Sequence, residues 1–299
     1  MSFIGLSVQA SEGAIKPIPM SVEHDPQKAL LGKRLFFDNR LSGDGSFSCA
    51  TCHDPLQGGS SDNCSKPWPA DDPASSMHPR SCNPPTVFNA VFNFRQYWDG
   101  RAANLKEQAM AAVSNPLELN GVPASVLQRL NEDPDYPALF KAGYGDAAIS
   151  LERVGDAIAE FEKTLITPNS KLDLYLRGEA TLTLLEQEGF LLFKSLGCMA
   201  CHNGVNLGGN SYQLSRTADA DKSEDENRSA PQQVKVPTIR NIAITAPYMR
   251  DGSDQTLQEV LQTMAYHYIG ILLEEKEWSG LTAFLHTLTG QIPASVISP

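Results

Sequence analysis

The chain is 299 residues long, 41% hydrophobic and 20% charged, an ordinary globular composition with room for two domains. Its net charge of −11 argues against nucleic acid and anionic membrane surfaces as partners. No apolar run approaches the roughly 20 residues that span a bilayer.

Taken in chain order, residues 1–10 (MSFIGLSVQA) are apolar and end in Val-Gln-Ala. They resemble the remnant of a secretory signal that lacks its basic start; a plain N-terminus is the alternative. Asp25-Pro26 caps and opens a helix running to Phe36. Cys49-Ala50-Thr51-Cys52-His53 follows, then Gly58-Gly59 and a stretch, 58–85, rich in Gly, Ser, Pro and Asp. A helical stretch runs from Arg101 to Val113. Leu151, Val154, Ile158, Phe161 and Leu165 mark one face of another helix. Cys198-Met199-Ala200-Cys201-His202 and Gly208-Gly209 repeat the first motif, and a polar loop, 215–235, follows. Thr256 and Glu259 form a capping box that opens a helix with Leu257, Val260, Leu261 and Met264 on one side. Phe284, Leu285 and Leu288, stopped by Gly290, mark a last helix. The fold class is mainly α with long loops, which bury little apolar surface of their own.

The two motifs lie 149 residues apart, half the chain, and each follows a Phe-containing helix end (Phe36-Phe37 and Phe193). Such a repeat implies two similar domains meeting near residue 167. Cys-x-x-Cys-His is the attachment signal of c-type haem: two thiols one turn apart add to the vinyl groups, and the histidine lies under the iron. A zinc ribbon places its cysteine pairs about 15–20 residues apart, and a redox Cys-x-x-Cys needs no following histidine. Two haems c are expected, and with them two cytochrome c-like domains and a compartment outside the bacterial cytoplasm. His53 and His202 are the proximal ligands. For the sixth positions His24, His78, His267, His286 and seven methionines remain, and the residues alone do not choose among them.

The segments FFDNRLS, SCATCH, PPTVFNAVFN, YWDGRA, GCMACHNGVNLGG and RNIAITAPYM resemble the bacterial dihaem cytochrome c peroxidases over roughly residues 25–290. The resemblance implies a peroxidatic low-potential domain, 11–166, with haem on Cys49, Cys52 and His53 and a distal His78 on a mobile loop. It implies a high-potential electron-transfer domain, 167–299, with haem on Cys198, Cys201 and His202 and Met264 as distal ligand. His/Met ligation raises a potential above that of two histidines. Trp98 matches the aromatic residue between the haems. Gln108 and Glu118 match the distal pair that holds peroxide and shuttles its proton. Asn83, with the carbonyls of Thr245 and Pro247, matches an inter-domain calcium site. The implied activity is reduction of hydrogen peroxide in the periplasm, with electrons from a small cytochrome c or cupredoxin; family members are often homodimers.

Cys64 and Cys82 lie outside both motifs. In an oxidising compartment a disulfide between them is expected, with two free thiols as the alternative. It would tether the loop carrying His78 and slow reductive opening, or make it unnecessary. Arg250 stands where many relatives carry histidine. Two other functions compete. A pure dihaem electron carrier would need no proton shuttle at Glu118. A dihaem oxygenase that matures a partner's quinone cofactor would carry Tyr where Met264 stands, with Tyr266 and Tyr268 nearby.

Overall fold

The structure is a computed structural model that describes residues 15–60, 83–216 and 233–297. His78, Cys64, Cys82 and residues 1–10 lie outside them. The described chain is mainly helical, as its periodicity predicts. In order come α1 (Pro26–Phe36), α2 (Cys49–Cys52), α3 (Leu105–Ser114), α4 (Pro123–Glu132), α5 (Tyr136–Tyr144) and α6 (Leu151–Glu162). Then follow α7 (Lys171–Leu176), α8 (Leu184–Ser195), α9 (Leu257–Met264), α10 (Glu275–His286) and α11 (Ala294–Ile297). One antiparallel pair, β1 (Tyr212–Leu214) with β2 (Gln233–Lys235), sets Tyr212 opposite Lys235.

Local chemistry explains the boundaries. Asp25 accepts from the amides of Gln27 and Lys28 at 2.9 and 3.1 Å, so α1 starts where the cap predicts. Thr256 and Glu259 form the expected box, Glu259 N donating to Thr256 Oγ1 at 3.2 Å. Three expectations need correction. The helix placed at Arg101 starts at Leu105, because Asn104 accepts from Glu107 N at 2.9 Å and supplies a better cap. Gln233–Lys235, expected as loop, is a strand, because Tyr212–Leu214 provides a partner edge. The helix carrying Phe284 ends at His286, and α11 follows it. Gly290 is a point of close approach: a Cβ there would stand 1.9 Å from the carbonyl oxygen of Thr167.

Two helix pairs form two cores. α1 crosses α6 and α8 crosses α10, each so closely that only glycine fits at the crossing. A Cβ on Gly32 would lie 1.8 Å from Ala157 O, and one on Gly189 1.9 Å from Gly280 O. The first core gathers Leu31, Leu35, Phe36, Ile158 and Phe161, with Phe36 edge-on to Phe161 at 5.3 Å. The second gathers Phe190, Phe193, Phe284 and Leu285, with Phe190 stacked on Phe284 at 4.8 Å.

Between the cores sits Thr167, 1% exposed. Its hydroxyl accepts from Asn89 Nδ2 at 2.8 Å and from Asn241 Nδ2 at 2.9 Å. These asparagines are equivalent. Each stands in the left-handed region, φ 61° and 62°, and caps a short 3-10 turn, Ala90–Phe92 or Ile242–Ile244. Asn89 Oδ1 accepts from Thr167 N at 2.9 Å, and Asn241 Oδ1 from Gly290 N at 3.0 Å. Nearby, Arg240 and Asp173 pair at 2.8 Å, neither more than 1% exposed. Arg240 also donates to the carbonyls of Val205 and Lys16, so the buried charge is fully engaged.

Thr167→Val keeps the shape and strands two buried amide donors. The expected cost is about 1–3 kcal/mol for each, read from denaturant unfolding. Glu162 gives a pH test. It is buried, its Oε2 has no hydrogen-bond partner among the described residues, and burial pushes its carboxyl up to about 8. Above the ordinary value of 4.5 the unfolded chain loses this proton while the folded chain keeps it. Stability from this group therefore falls as pH rises from there to about 8, by about 1.4 kcal/mol per unit. Glu162→Gln should remove that slope from a series of denaturation curves over this range.

Candidate functional site

Each Cys-x-x-Cys-His segment closes one turn. His53 N donates to Cys49 O and His202 N to Cys198 O, both at 2.9 Å. Cys49 packs on the first core and Cys198 on the second. Burial pushes the Cys49 thiol up to about 12, with the charges of Glu162 and Glu118 adding to it, and the Cys198 thiol up to about 11. Burial lowers both imidazoles, against opposing carbonyls of Pro85 and Gly59 at His53 and of Leu207 and Pro237 at His202. Both rings are thereby held neutral, the form that ligates a metal. His202 Nδ1 lies 3.2 Å from Leu207 O, which fixes that ring and leaves Nε2 free. His53 Nδ1 is shut away from solvent, and among the described residues no well-aligned partner receives it. Neutral half-buried imidazoles, each one turn beyond a half-buried cysteine, fit the donor set of haem c.

Cys49, Cys198 and Cys201 carry free thiols, the state from which haem attachment proceeds.

Glu118 is half-buried beyond α3 and close enough to Cys49 for its charge to be felt there. Asn115 Nδ2 donates to its Oε1 at 2.6 Å, and Arg101 approaches the same oxygen at 3.4 Å. Tyr97 OH lies 3.3 Å from Oε2 and 3.4 Å from the carbonyl of Gln108. Burial raises the Glu118 carboxyl above its ordinary range; Asn115, Arg101 and Tyr97 pull it back. The Arg101 guanidinium sits 3.3 Å above the Tyr97 ring, keeping cation and phenol as one unit. Tyr97 thus joins the two expected distal residues. Tyr97, Arg101 and Asn115 were not among the expected site residues. The first two stand in YWDGRA and the third in NPLE, but their side chains converge only because the loops fold onto α3.

Trp98 is half-buried beside them. Its Nε1 donates to Asn83 O at 3.0 Å and its carbonyl accepts from Lys235 N at 2.9 Å. Asn83 Nδ2 reaches the carbonyls of Pro247 and Met249, each at 2.8 Å; Thr245 lies two residues before Pro247. Met264 ends α9 half-buried, where a π-turn, Ala265–Ile269, continues the helix. Leu257 and Leu261 of that helix pack on the core that also holds Cys198. π-Turns recur at functional sites.

The sequence model of the di-haem cytochrome c peroxidase family matches residues 26–181. The chain is 38% identical to a cytochrome c551 peroxidase of Nitrosomonas europaea, over 97% of this chain and 88% of that one. It is also 38% identical to a cytochrome c551 peroxidase of Pseudomonas aeruginosa, over 93% and 85%. A solved structure, a MauG-like protein associated with microbial copper homeostasis, superposes with a TM-score of 0.78 at 26% identity, over 97% of both chains. A family match over more than half the chain, and relatives this similar along nearly all of it, agree with the two equivalent histidine turns: the chain belongs to the di-haem cytochrome c peroxidase family.

Proposed function

We propose that this chain reduces hydrogen peroxide to two waters in the bacterial periplasm, taking two electrons from a small cytochrome c or cupredoxin and two protons from the medium. The observation that carries the reading is the Glu118 carboxylate, caged by Asn115, Tyr97 and Arg101 and electrostatically coupled to Cys49. Residues 11–166 form the peroxidatic domain and 167–299 the electron-transfer domain. Haem c on Cys49 and Cys52, and on Cys198 and Cys201, would supply the two irons that pass electrons singly. His53 and His202, with His78 and Met264, would be the residues that hold those irons.

The chain's own residues supply the proton chemistry. Glu118 takes a proton from one oxygen of peroxide and returns it to the other, whose leaving as water needs that proton. Its raised pKa suits the return, and the Arg101 charge keeps enough carboxylate for the first step. Tyr97 holds Glu118 against the Gln108 backbone, and Gln108 orients peroxide. Trp98 spans the region between the motifs.

Calcium belongs to the same reading, at Asn83 with the carbonyls of Thr245 and Pro247. Asn83 Nδ2 donates to Pro247 O at 2.8 Å, which supports that half of the set, but its second acceptor is Met249 O rather than Thr245 O.

The alternatives have less support. A carrier has no use for a caged Glu118. For the oxygenase, Tyr266 is 59% exposed and the Tyr268 hydroxyl accepts from Arg216 N at 3.4 Å, engagements that favour Met264 over either tyrosine. Among the described residues no helix is long and apolar enough to cross a membrane.

Glu118→Gln should lower kcat/KM for peroxide by roughly 10²–10⁴-fold in stopped-flow assays with reduced cytochrome c. Wild-type turnover in the variant would remove Glu118 from the mechanism. Arg101→Leu takes away a charge that lowers the Glu118 pKa. The acid limb of the pH–rate profile should then move to higher pH; an unmoved limb would assign it to another group.

A further inference from the structure

The repeat extends to residues that no comparison singles out. Pro85-Thr86 and Pro237-Thr238 follow the two motifs, and their carbonyls face His53 and His202 respectively. Two residues before each proline stand Asn83 and Lys235. Trp98 links both: its indole N–H donates to Asn83 O, and its carbonyl accepts from Lys235 N. The equivalent positions therefore carry a neutral amide in one half and a cation in the other.

The Asn83 side chain is fully engaged by two carbonyls. The Lys235 side chain is 5% exposed, and among the described residues no carboxylate pairs with it. Its surroundings are Tyr212 across the sheet, Trp98 alongside, and Val236 and Pro237 leading to His202. Burial pulls the amine down to about 8, with no charged group among the described residues opposing it, so at neutral pH it is still mostly ammonium. A buried ammonium is retained when an anion compensates it, whereas space alone is filled better by Met or Leu. Haem c offers such an anion. Its thioethers occupy one edge of the ring, and the opposite edge bears two propionate carboxylates.

We propose that the Lys235 ammonium pairs with a propionate of the haem held by Cys198, Cys201 and His202, fixing that edge of the ring beside Trp98. The inference rests on the dihaem reading above. It gives a reason for the potential difference that is independent of the distal ligands. A propionate left unpaired favours ferric iron, and a cation beside it removes that bias. Of the two equivalent positions, the cation stands at the C-terminal one, Lys235, and Asn83 holds the other.

The test is a spectroelectrochemical titration of the purified holoprotein and its Lys235→Gln and Lys235→Arg variants. Lys235→Gln should lower the C-terminal haem potential by at least a tenfold change in the ferrous-to-ferric ratio, about 59 mV for one electron. Lys235→Arg should hold it near wild type, and the N-terminal haem should stay put in both. An unchanged C-terminal potential in Lys235→Gln, or a shift confined to the N-terminal haem, would overturn the pairing. If the variant does not fold, a crystal structure of wild-type holoprotein decides. Nζ within about 4 Å of a propionate oxygen supports the pair, and Nζ facing only water or a protein acid sinks it. A mass spectrum without two covalent haems would instead refute the dihaem reading itself.

Discussion

The hydroxyl of Thr167 accepts hydrogen bonds from Asn89 and Asn241, equivalent residues of the two repeats, where the two cores meet. Buried amides must find partners, and here both find the same atom, so neither repeat can shift without stranding a donor. The asparagines carry their 3-10 turns with them, and these turns receive the other repeat's loop. Gly58 abuts the Ile244 carbonyl, and Gly209 abuts the Asn93 side chain.

Each repeat is anchored behind the junction by a helix crossing that only glycine permits, at Gly32 on Ala157 and at Gly189 on Gly280. These crossings present Cys49 and Cys198 at the same turn relative to their cores. The same scaffold therefore holds two histidines in matching turns, both kept neutral by burial, with Leu207 O beside His202 Nδ1 and no such partner among the described residues beside His53 Nδ1. The differences that separate their chemistry lie in the loops: a caged carboxylate near the first motif and a buried lysine near the second.

Charge is buried in this chain in three ways. Arg240 and Asp173 compensate each other within the protein. Glu162 avoids the cost of burial by staying protonated to about pH 8. Glu118 is intermediate, with burial opposed by Arg101, Asn115 and Tyr97, which is the balance that proton transfer in both directions requires. Lys235 has none of these provisions within the described chain, and for that reason points to an anion beyond it.

The helices α1, α6 and α9 were legible in the sequence because caps and 3.6-residue periodicity are local, and the histidine turns because their spacing is a covalent requirement. Gln108, Glu118 and Trp98 could be named from resemblance, since their neighbours in sequence mark them. Tyr97, Arg101 and Asn115 could not be grouped around Glu118 that way, because 21 residues separate Tyr97 from Glu118 and no periodicity links them. Nor could the direct approach of Gly290 to the Thr167 carbonyl, since the two lie far apart in the chain. The sequence by itself determined the helical class, the two attachment motifs and the repeat, all of which are set by contacts within a few residues. Tertiary structure decided which groups are desolvated and which partners they meet, because burial and electrostatic coupling depend on distances between segments far apart in the chain.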